Sequence, residues 1–294
     1  MSGIQQNNNT DSNDNTIVAP TNVGTNNAAM PGVSALVAGS DGVNLIPLLV
    51  DSAGRLITSA LTGFGAEFSF GDIATAATTQ VAVKRTTYTE QTTNAQRSIV
   101  SSNANDTSAG TGARTVKITY LDQTGAGPYT ETLTLNGTTP VNTTNTNICF
   151  IEQIDVVTVG SAGSNAGIIS LKAATAGGGA TIGTIAATNN QTFWCHHYVP
   201  VSKTCNVTGI SCSHNGTTVG SGAVFQLYSK PIGVSNAVVS QVSDFVRLYG
   251  QSSTFSRNYA SPIKITGPAF LEIKVTPESS SSFTYRSSFD FFEP

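Results

Sequence analysis

The chain has 294 residues, of which 39% are hydrophobic, enough for one large or two ordinary domains. Only 11% of the residues are charged, against roughly 25% in an average soluble protein, and Thr, Ser, Asn and Gly take their place. The net charge is −3 and the 14 Lys and Arg residues are scattered, so the sequence lacks a basic stripe that could neutralise a phosphate backbone. We therefore expect no nucleic-acid binding.

The sequence also gives no sign of a membrane protein. Its first residues contain neither a positively charged start nor an apolar core of the secretory type. No apolar run approaches the ~18 residues that a membrane-spanning helix needs. We expect a protein that is made in a cytoplasm and does not enter a membrane.

The first hundred residues differ in composition from the rest. Residues 1–40 hold little apolar surface to offset the ordering cost of roughly 1–2 kcal/mol per residue, which predicts an extended or disordered arm. Residues 42–58, GVNLIPLLVDSAGRLIT, predict a hairpin with a strand at 45–50, a turn at 51–54 and an apolar pair at 56–57. We interpret residues 41–112 as this hairpin followed by irregular β structure.

From residue 113 the sequence alternates more regularly. Val116, Ile118 and Tyr120 share one face of a predicted strand, and Leu133 and Leu135 share one face of the next. This pattern indicates an antiparallel hairpin that is half buried and half exposed.

Further strands follow at intervals of about 8–12 residues, each bounded by turn residues. Residues 147–159 are apolar on both faces, which predicts a central strand. Residues 235–248 fit either a helix or two short strands. The other predicted strands cover residues 168–172, 181–187, 192–199, 205–211, 223–228, 262–265, 269–275 and 282–292. In the last of these, the aromatic residues Phe283, Tyr285, Phe289 and Phe291 share one parity, which indicates a core or a subunit contact.

Together these elements predict an all-β protein. About ten candidate strands after residue 112 fit an antiparallel, jelly-roll-like sandwich. The predicted organisation is an extended N-terminal arm (1–40), a hairpin and irregular β attachment region (41–112), and one β-sandwich domain (113–294).

The cysteines and histidines cluster late in the chain and are the main candidates for chemistry. A tetrahedral zinc site can be drawn from Cys195, His197, Cys212 and His214. The spacing lacks a CxxC pair, however, and small cysteines commonly fill β cores. We favour that structural interpretation, so we expect neither a metal nor a cofactor, and no disulfides in a reducing cytoplasm.

The remaining motifs do not indicate an enzyme. The glycine-rich run at 176–180 has no Lys-Ser/Thr after it and no helix to cap, so it does not resemble a phosphate-binding loop. The serines lack a GxSxG motif, and Glu272 and Glu278 are interpreted as rim residues rather than as a glycosidase pair. We predict no catalytic residues.

Several segments resemble one family of proteins. IPLLVDSAGRLIT resembles the V-P-L-x-V-D-x-x-G-R-L segment near the start of many virion structural proteins of tailed bacteriophages. AGTGARTVKITYLDQTG, ETLTLNGTTPVNT and NQTFWCHHYVPVSKTCNVTGI resemble a β domain of the same proteins, although residues 199–205 lack the glycine that its usual turn contains. The resemblance implies a non-enzymatic capsid decoration or cement, collar, or tail and baseplate piece, usually oligomeric and often trimeric.

This resemblance predicts how the chain is used. A protein made in a bacterial host cytoplasm would become part of the virion, with its N-terminal region docked on other virion proteins and its β domain projecting. Two alternatives remain: a tail-tip module that binds a receptor or a host-surface glycan, and a depolymerase or metal hydrolase that uses the Cys and His cluster. The predicted docking residues are Leu45, Ile46, Pro47, Leu48, Val50, Asp51, Gly54, Arg55 and Leu56.

Overall fold

A computed structural model describes residues 67–216, 222–232, 241–250, 252–278 and 283–293, together with two short strands at 38–40 and 45–47. The chain divides into two compact units, Met1–Gly63 and Phe64–Pro294. The described part is built almost entirely of antiparallel strands, which confirms the predicted all-β class. Within these ranges, no helix is both long and apolar enough to cross a membrane.

The described strands are numbered in chain order. They are β1 (Ala38–Ser40), β2 (Leu45–Pro47), β3 (Glu67–Thr75), β4 (Val81–Ala82), β5 (Ser98–Ser101), β6 (Ala113–Leu121), β7 (Tyr129–Thr134), β8 (Val141–Asn142), β9 (Phe150–Val159), β10 (Ile169–Lys172), β11 (Thr181–Ile185), β12 (His196–Val199), β13 (Thr204–Asn215), β14 (Gly222–Pro231), β15 (Gln241–Tyr249), β16 (Ser252–Thr266), β17 (Ala269–Pro277) and β18 (Phe283–Phe292). A single 3-10 turn spans Thr175–Gly177 between β10 and β11.

In the described part of the first unit, β1 pairs antiparallel with β2, so that Ser40 is opposite Leu45 and Ala38 is opposite Pro47. The strand that begins at Leu45 therefore pairs with residues that precede it. The remainder of the predicted arm, and the turn and second strand predicted at 51–58, lie outside the described residues.

The second unit contains an eight-stranded jelly roll. One sheet has the strand order β3–β18–β13–β16, and the other has the order β12–β17–β14–β15. If β3 and β12 to β18 are lettered B to I in chain order, the sheets read B-I-D-G and C-H-E-F. This arrangement is the double Greek key of a jelly roll. The strand order of the chain itself thus confirms the predicted jelly-roll fold.

The jelly-roll core fills the space between these two sheets. On the last strand, Phe283, Tyr285, Phe289 and Phe291 are all buried, as their shared parity predicted. On β17, Leu271 and Ile273 point into the same core from the opposite sheet. Apolar side chains on alternate positions of both sheets therefore build the sandwich.

Strand C of the jelly roll is interrupted by an insertion. β4 and β12 both pair with β17, side by side along the same edge. Between them, the backbone N–H of Cys195 donates to the carbonyl of Val83 at 3.0 Å, and Lys84 forms a bridge with Trp194. The chain therefore leaves strand C after Val83 and returns to it at Cys195.

The inserted residues form a second, smaller sandwich. A four-stranded sheet, β11–β10–β5–β8, packs against a three-stranded sheet, β7–β6–β9. Val116, Ile118 and Tyr120 point into its core, as predicted, and Leu133 and Leu135 are also buried there.

The predicted boundary at residue 112 does not match this organisation. Residues 67–82 supply strand B and part of strand C, and residues 98–101 supply a strand of the inserted sandwich. The single sandwich predicted for 113–294 is therefore two sandwiches, both of which include strands from the region interpreted as an attachment segment. The reason is that strand pairing joins segments far apart in sequence, which local alternation does not show.

The structure corrects one strand prediction and decides another. Residues 147–159 were predicted as a central strand, but β9 lies at the edge of its three-stranded sheet. It is apolar on both faces because Ile154 points into the inserted core and Phe150 contacts Tyr198 of the jelly roll. Of the alternatives for residues 235–248, the strand is correct from Gln241 onwards, and residues 235–240 lie outside the described part.

Candidate functional site

The junction between the two sandwiches is lined by aromatic side chains. On the outer face of strand C, the rings of Trp194 and His196 stack with centroids 5.4 Å apart. The Tyr198 ring lies 5.1 Å from Phe150 of the inserted sandwich, and its hydroxyl is hydrogen-bonded to that of Tyr88. Strand C alternates strictly here, so these side chains face the insertion while their neighbours face the jelly-roll core.

His196 is a buried, neutral member of this junction. Its Nε2 lies 3.1 Å from the carbonyl oxygens of both Ile151 and Glu152, so this nitrogen carries the proton and donates. Burial lowers the pKa of His196 below its usual value, which also favours the uncharged ring. The side chain therefore links the sandwiches through an uncharged hydrogen bond.

His197, on the opposite face of strand C, lies between two carboxylates. Its Nδ1 is 2.9 Å from Oε1 of Glu152, and its Nε2 is 2.8 Å from Oε1 of Glu293. Glu152 belongs to β9 of the insertion, and its second oxygen accepts the Tyr198 backbone N–H at 2.8 Å. The His197 ring also packs on Phe291, with centroids 4.1 Å apart.

The charges of this group depend on one another. Burial alone would lower the pKa of His197, but Glu152 and Glu293 outweigh burial and raise the pKa to about 10. Burial alone would raise the pKa of Glu152, but the His197 charge, together with the hydrogen bonds from His197 and from the Tyr198 N–H, outweighs burial and lowers that pKa. With only protein groups present, an imidazolium is thus held between two carboxylates at neutral pH.

A thiol completes the cluster. His197, Cys205 and Glu293 each offer a ligand atom, and these atoms all lie within 4.8 Å of one another. Burial raises the pKa of the Cys205 thiol, and Glu293 and Glu152 raise it further. A thiol kept protonated in this way is a poor nucleophile, so the group is suited to holding an ion or fixing structure rather than to nucleophilic catalysis.

A cavity of about 580 Å³ opens beside the cluster. It lies between the sandwiches, and His197, Glu152, Glu293 and Lys203 are among its lining residues. The cluster is therefore buried but adjoins space that can hold water or a small solute.

The four residues considered as candidate zinc ligands are found in three different places. Cys195 and Cys212 lie together in the jelly-roll core beside the Ser287 hydroxyl, which is 3.4 Å from the Cys212 sulfur. His214 is near the other end of β13, where its Nε2 donates to the Gly250 carbonyl at 2.8 Å. His197 lies beside Cys205, and the nine residue steps from Cys205 to His214 span about 30 Å of extended strand, so the four candidate residues do not form one site.

The three partners of His197 were not among the predicted site residues. Glu152 and Glu293 each lie in a strand or at its end with no local motif around them. The only sequence signal was that Cys195 and His197 share a face in a region rich in cysteine. His197, Cys205 and Glu293 come together only in the folded chain, because β13 pairs with β18 in one sheet and β12 lies in the facing sheet.

A second concave surface lies on the outer face of the B-I-D-G sheet. This outer groove has a volume of about 570 Å³. Phe68 and Phe70 project from the edge strand β3, and Arg286 and Ser288 project from β18 beside them. The groove thus presents aromatic rings next to hydroxyl and guanidinium groups.

The predicted docking residues are only partly described. Leu45, Ile46 and Pro47 form β2 in the first unit. Leu48, Val50, Asp51, Gly54, Arg55 and Leu56 lie outside the described residues.

Comparison with known proteins gives few matches. No family model and no curated protein matches the chain. Among solved structures, it is similar to the T13 particle of infectious bursal disease virus at 9% identity and a TM-score of 0.22, over 78% of this chain and 69% of the other. It is also similar to the VP2 subviral particle of that virus, at 8% identity and a TM-score of 0.20, over 78% and 71% of the two chains. We therefore take the fold of this chain from its own strand order.

Proposed function

We propose that this chain is a non-enzymatic structural component of a virus particle, specifically a tailed bacteriophage virion. It docks through its N-terminal region and projects its β domains as a capsid decoration or cement, a collar, or a tail and baseplate piece. The observation that carries the proposal is the eight-stranded B-I-D-G and C-H-E-F jelly roll, an architecture found in viral capsid domains and also in lectins. The phage origin and the docking role depend on the sequence resemblance.

The buried ionisable groups support a structural role. Asp106 accepts hydrogen bonds from three backbone amides and one hydroxyl. The Arg97 guanidinium donates to the carbonyl oxygens of Ile148, Ala173 and Thr93. Both side chains therefore hold loops of the inserted sandwich in place. In the jelly roll, burial raises the pKa of the Cys205 thiol, which makes it a poor nucleophile.

The surface supports assembly with copies of the chain or with other virion proteins. Strand β15 is an edge strand of the C-H-E-F sheet, and its Phe245 and Tyr249 are 62% and 60% exposed. Exposed aromatic residues on an edge strand are typical of protein contacts. We propose a homo-oligomer, with a trimer favoured.

Incorporation into particles tests the function. We expect the tagged full chain to appear at fixed stoichiometry in particles purified from a phage-infected bacterial host, measured by quantitative mass spectrometry. A chain that lacks residues 1–40 should fold but stay out of the particles. Absence of the full chain from particles would refute the proposal, and normal incorporation of the truncated chain would refute docking through the arm.

A contact test addresses the oligomer. Light scattering on a sizing column should give the mass of three 30.3 kDa subunits. We expect Phe245→Ser with Tyr249→Ser to reduce that mass, whereas Tyr129→Ser, at an exposed tyrosine of the inserted sandwich, should not. A monomeric wild-type chain would refute self-association in solution.

The outer groove favours a second candidate, a glycan-binding tail-tip module. Aromatic rings beside hydroxyl groups and a guanidinium are suited to stacking on sugars and hydrogen-bonding them. This candidate predicts binding on a glycan array that Phe70→Ser abolishes. Absence of binding by the wild-type chain would exclude it for the glycans tested.

A further inference from the structure

Three side chains of different chemistry converge at one end of the jelly roll. His197 comes from β12, Cys205 from β13, and Glu293 directly follows β18. Their ligand atoms lie within 4.8 Å of one another, and Cys205 is completely buried. Imidazole, thiolate and carboxylate are the three ligand types that zinc accepts in proteins.

The fold brings these residues together for a simple reason. β13 and β18 are antiparallel, and Val207 pairs with Phe291. Continuing that register places Cys205 opposite Glu293, on the same inward parity. His197 reaches them from the opposite sheet, so the cluster bridges the two sheets of the sandwich.

The orientation of His197 fits a metal ligand. Its Nδ1 is hydrogen-bonded to the Glu152 carboxylate, and its Nε2 is directed towards the Glu293 carboxylate. Metal-bound histidines commonly donate one ring N–H to a carboxylate, which fixes the tautomer and frees the other nitrogen for the metal. Glu152 occupies that orienting position here.

The charges and the space also fit. A divalent cation balances the Cys205 thiolate and the Glu293 carboxylate, so the cluster with Glu152 keeps the same net charge that it has with a protonated His197 and a neutral thiol. Bond lengths of about 2.0–2.3 Å place tetrahedral zinc ligands roughly 3.3–3.7 Å apart. A separation at the 4.8 Å limit therefore needs to close by about 1 Å, whereas the 2.8 Å between His197 Nε2 and Glu293 Oε1 needs to open by roughly 0.5 Å. The adjoining cavity supplies a path for entry and room for a water as fourth ligand.

We propose that His197, Cys205 and Glu293 form a site for zinc or a similar divalent transition metal, with Glu152 as the positioning residue of His197. Binding replaces the thiol proton of Cys205 and the Nε2 proton of the His197 imidazolium with bonds to the metal, and it releases both protons to solvent. Because Glu152 belongs to the insertion and the ligands to the jelly roll, the bound metal fastens the two sandwiches together. The site differs from the candidate set considered from the sequence and shares only His197 with it.

Cobalt titration of the chelator-treated full chain tests the site directly. Co²⁺ should bind at one equivalent and give a thiolate-to-cobalt charge-transfer band with the visible absorption of a four-coordinate ion. Zn²⁺ should displace it and raise the melting temperature. A wild-type spectrum without a thiolate band, or no binding at all, would overturn the proposal without any need for a mutant.

Variants identify the ligands. Cys205→Ser should abolish the charge-transfer band, and Cys212→Ser, at a buried cysteine elsewhere in the same core, should leave it unchanged. Glu152→Gln should keep the band but weaken metal affinity by about 10–100-fold, as loss of an orienting carboxylate does elsewhere. A band that persists in Cys205→Ser, or that disappears in Cys212→Ser, would contradict the assignment.

Discussion

Replacement of Asp106 tests how strongly one buried carboxylate stabilises the inserted sandwich. Asp106 is fully buried. Its Oδ1 accepts the backbone N–H groups of Ala113 at 2.7 Å and Ala166 at 2.8 Å. Its Oδ2 accepts the Gly167 N–H at 2.9 Å and the Ser101 hydroxyl at 2.5 Å. The carboxylate thus joins the start of β6 to the loop before β10 and to the end of β5.

The magnitude follows from these four donors. Asp106→Ala leaves all of them without an acceptor, and each buried unsatisfied group costs about 1–3 kcal/mol. Water entering the vacated volume restores some of these bonds, so we expect a loss of about 4–6 kcal/mol in the free energy of unfolding. Asp106→Asn keeps one oxygen but turns an NH₂ group towards donors, and it should cost about 2–4 kcal/mol.

Urea unfolding of the full chain measures this loss. Far-ultraviolet circular dichroism reports the sheets, and the fluorescence of Trp194, the only tryptophan, reports the junction. Coincident transitions from the two probes would justify a two-state free energy, obtained from the midpoint and slope.

Asp122→Ala is the matched control. The Asp122 carboxylate also accepts hydrogen bonds, from Thr124 and Ala126, but in a turn exposed to water. Because water replaces the lost acceptor there, we expect a cost of about 1 kcal/mol. Equal losses in the two alanine variants, or a loss below about 1.5 kcal/mol for Asp106→Ala, would refute the reasoning that burial decides the cost.

Three further predictions concern the jelly roll. Gly71→Ala should destabilise the fold by several kcal/mol or prevent folding, because its Cβ would lie 2.4 Å from the Val83 carbonyl oxygen and 2.6 Å from the Cys195 nitrogen; unchanged thermal unfolding would contradict this. Ser202→Gly should raise the free energy of unfolding by up to about 1 kcal/mol, because Ser202 has a φ of 66° in the turn between β12 and β13, and glycine adopts this left-handed conformation without strain. A lower free energy of unfolding in urea would contradict this. All four cysteines should resist a thiol reagent at pH 8 and react together on unfolding, because each is buried and burial raises the pKa of the thiols, to about 12 for Cys212. Rapid reaction of one thiol in the native chain would contradict that burial.

Much of the local structure could be predicted from the sequence. Alternation placed Val116, Ile118 and Tyr120 on a buried face, and the shared parity of Phe283 and Phe291 placed the last strand against a core. These predictions succeed because side chains on a strand alternate between two faces, so burial on one face leaves a period of two in the sequence. The same signal, repeated at short intervals, predicted the all-β class and, through the number of strands, a jelly-roll-like sandwich, but not the strand order.

Sequence reasoning was least informative where the chain departs from that pattern. Phe68 and Phe70 lie on an edge strand with their rings exposed, so β3 was interpreted only as irregular β structure. The turn at residues 199–205 has no glycine, yet Ser202 has a positive φ, so the backbone adopts the conformation that glycine favours.

The tertiary structure alone decided how the strands are combined. The interruption of strand C after Val83 and its continuation at Cys195 depend on hydrogen bonds between residues that are more than a hundred positions apart. In the same way, His197, Cys205 and Glu293 meet only because β12, β13 and β18 occupy neighbouring places in two facing sheets. Sequence periodicity reports which face of a strand is buried, whereas the choice of partner strand is made by the packing of the whole core.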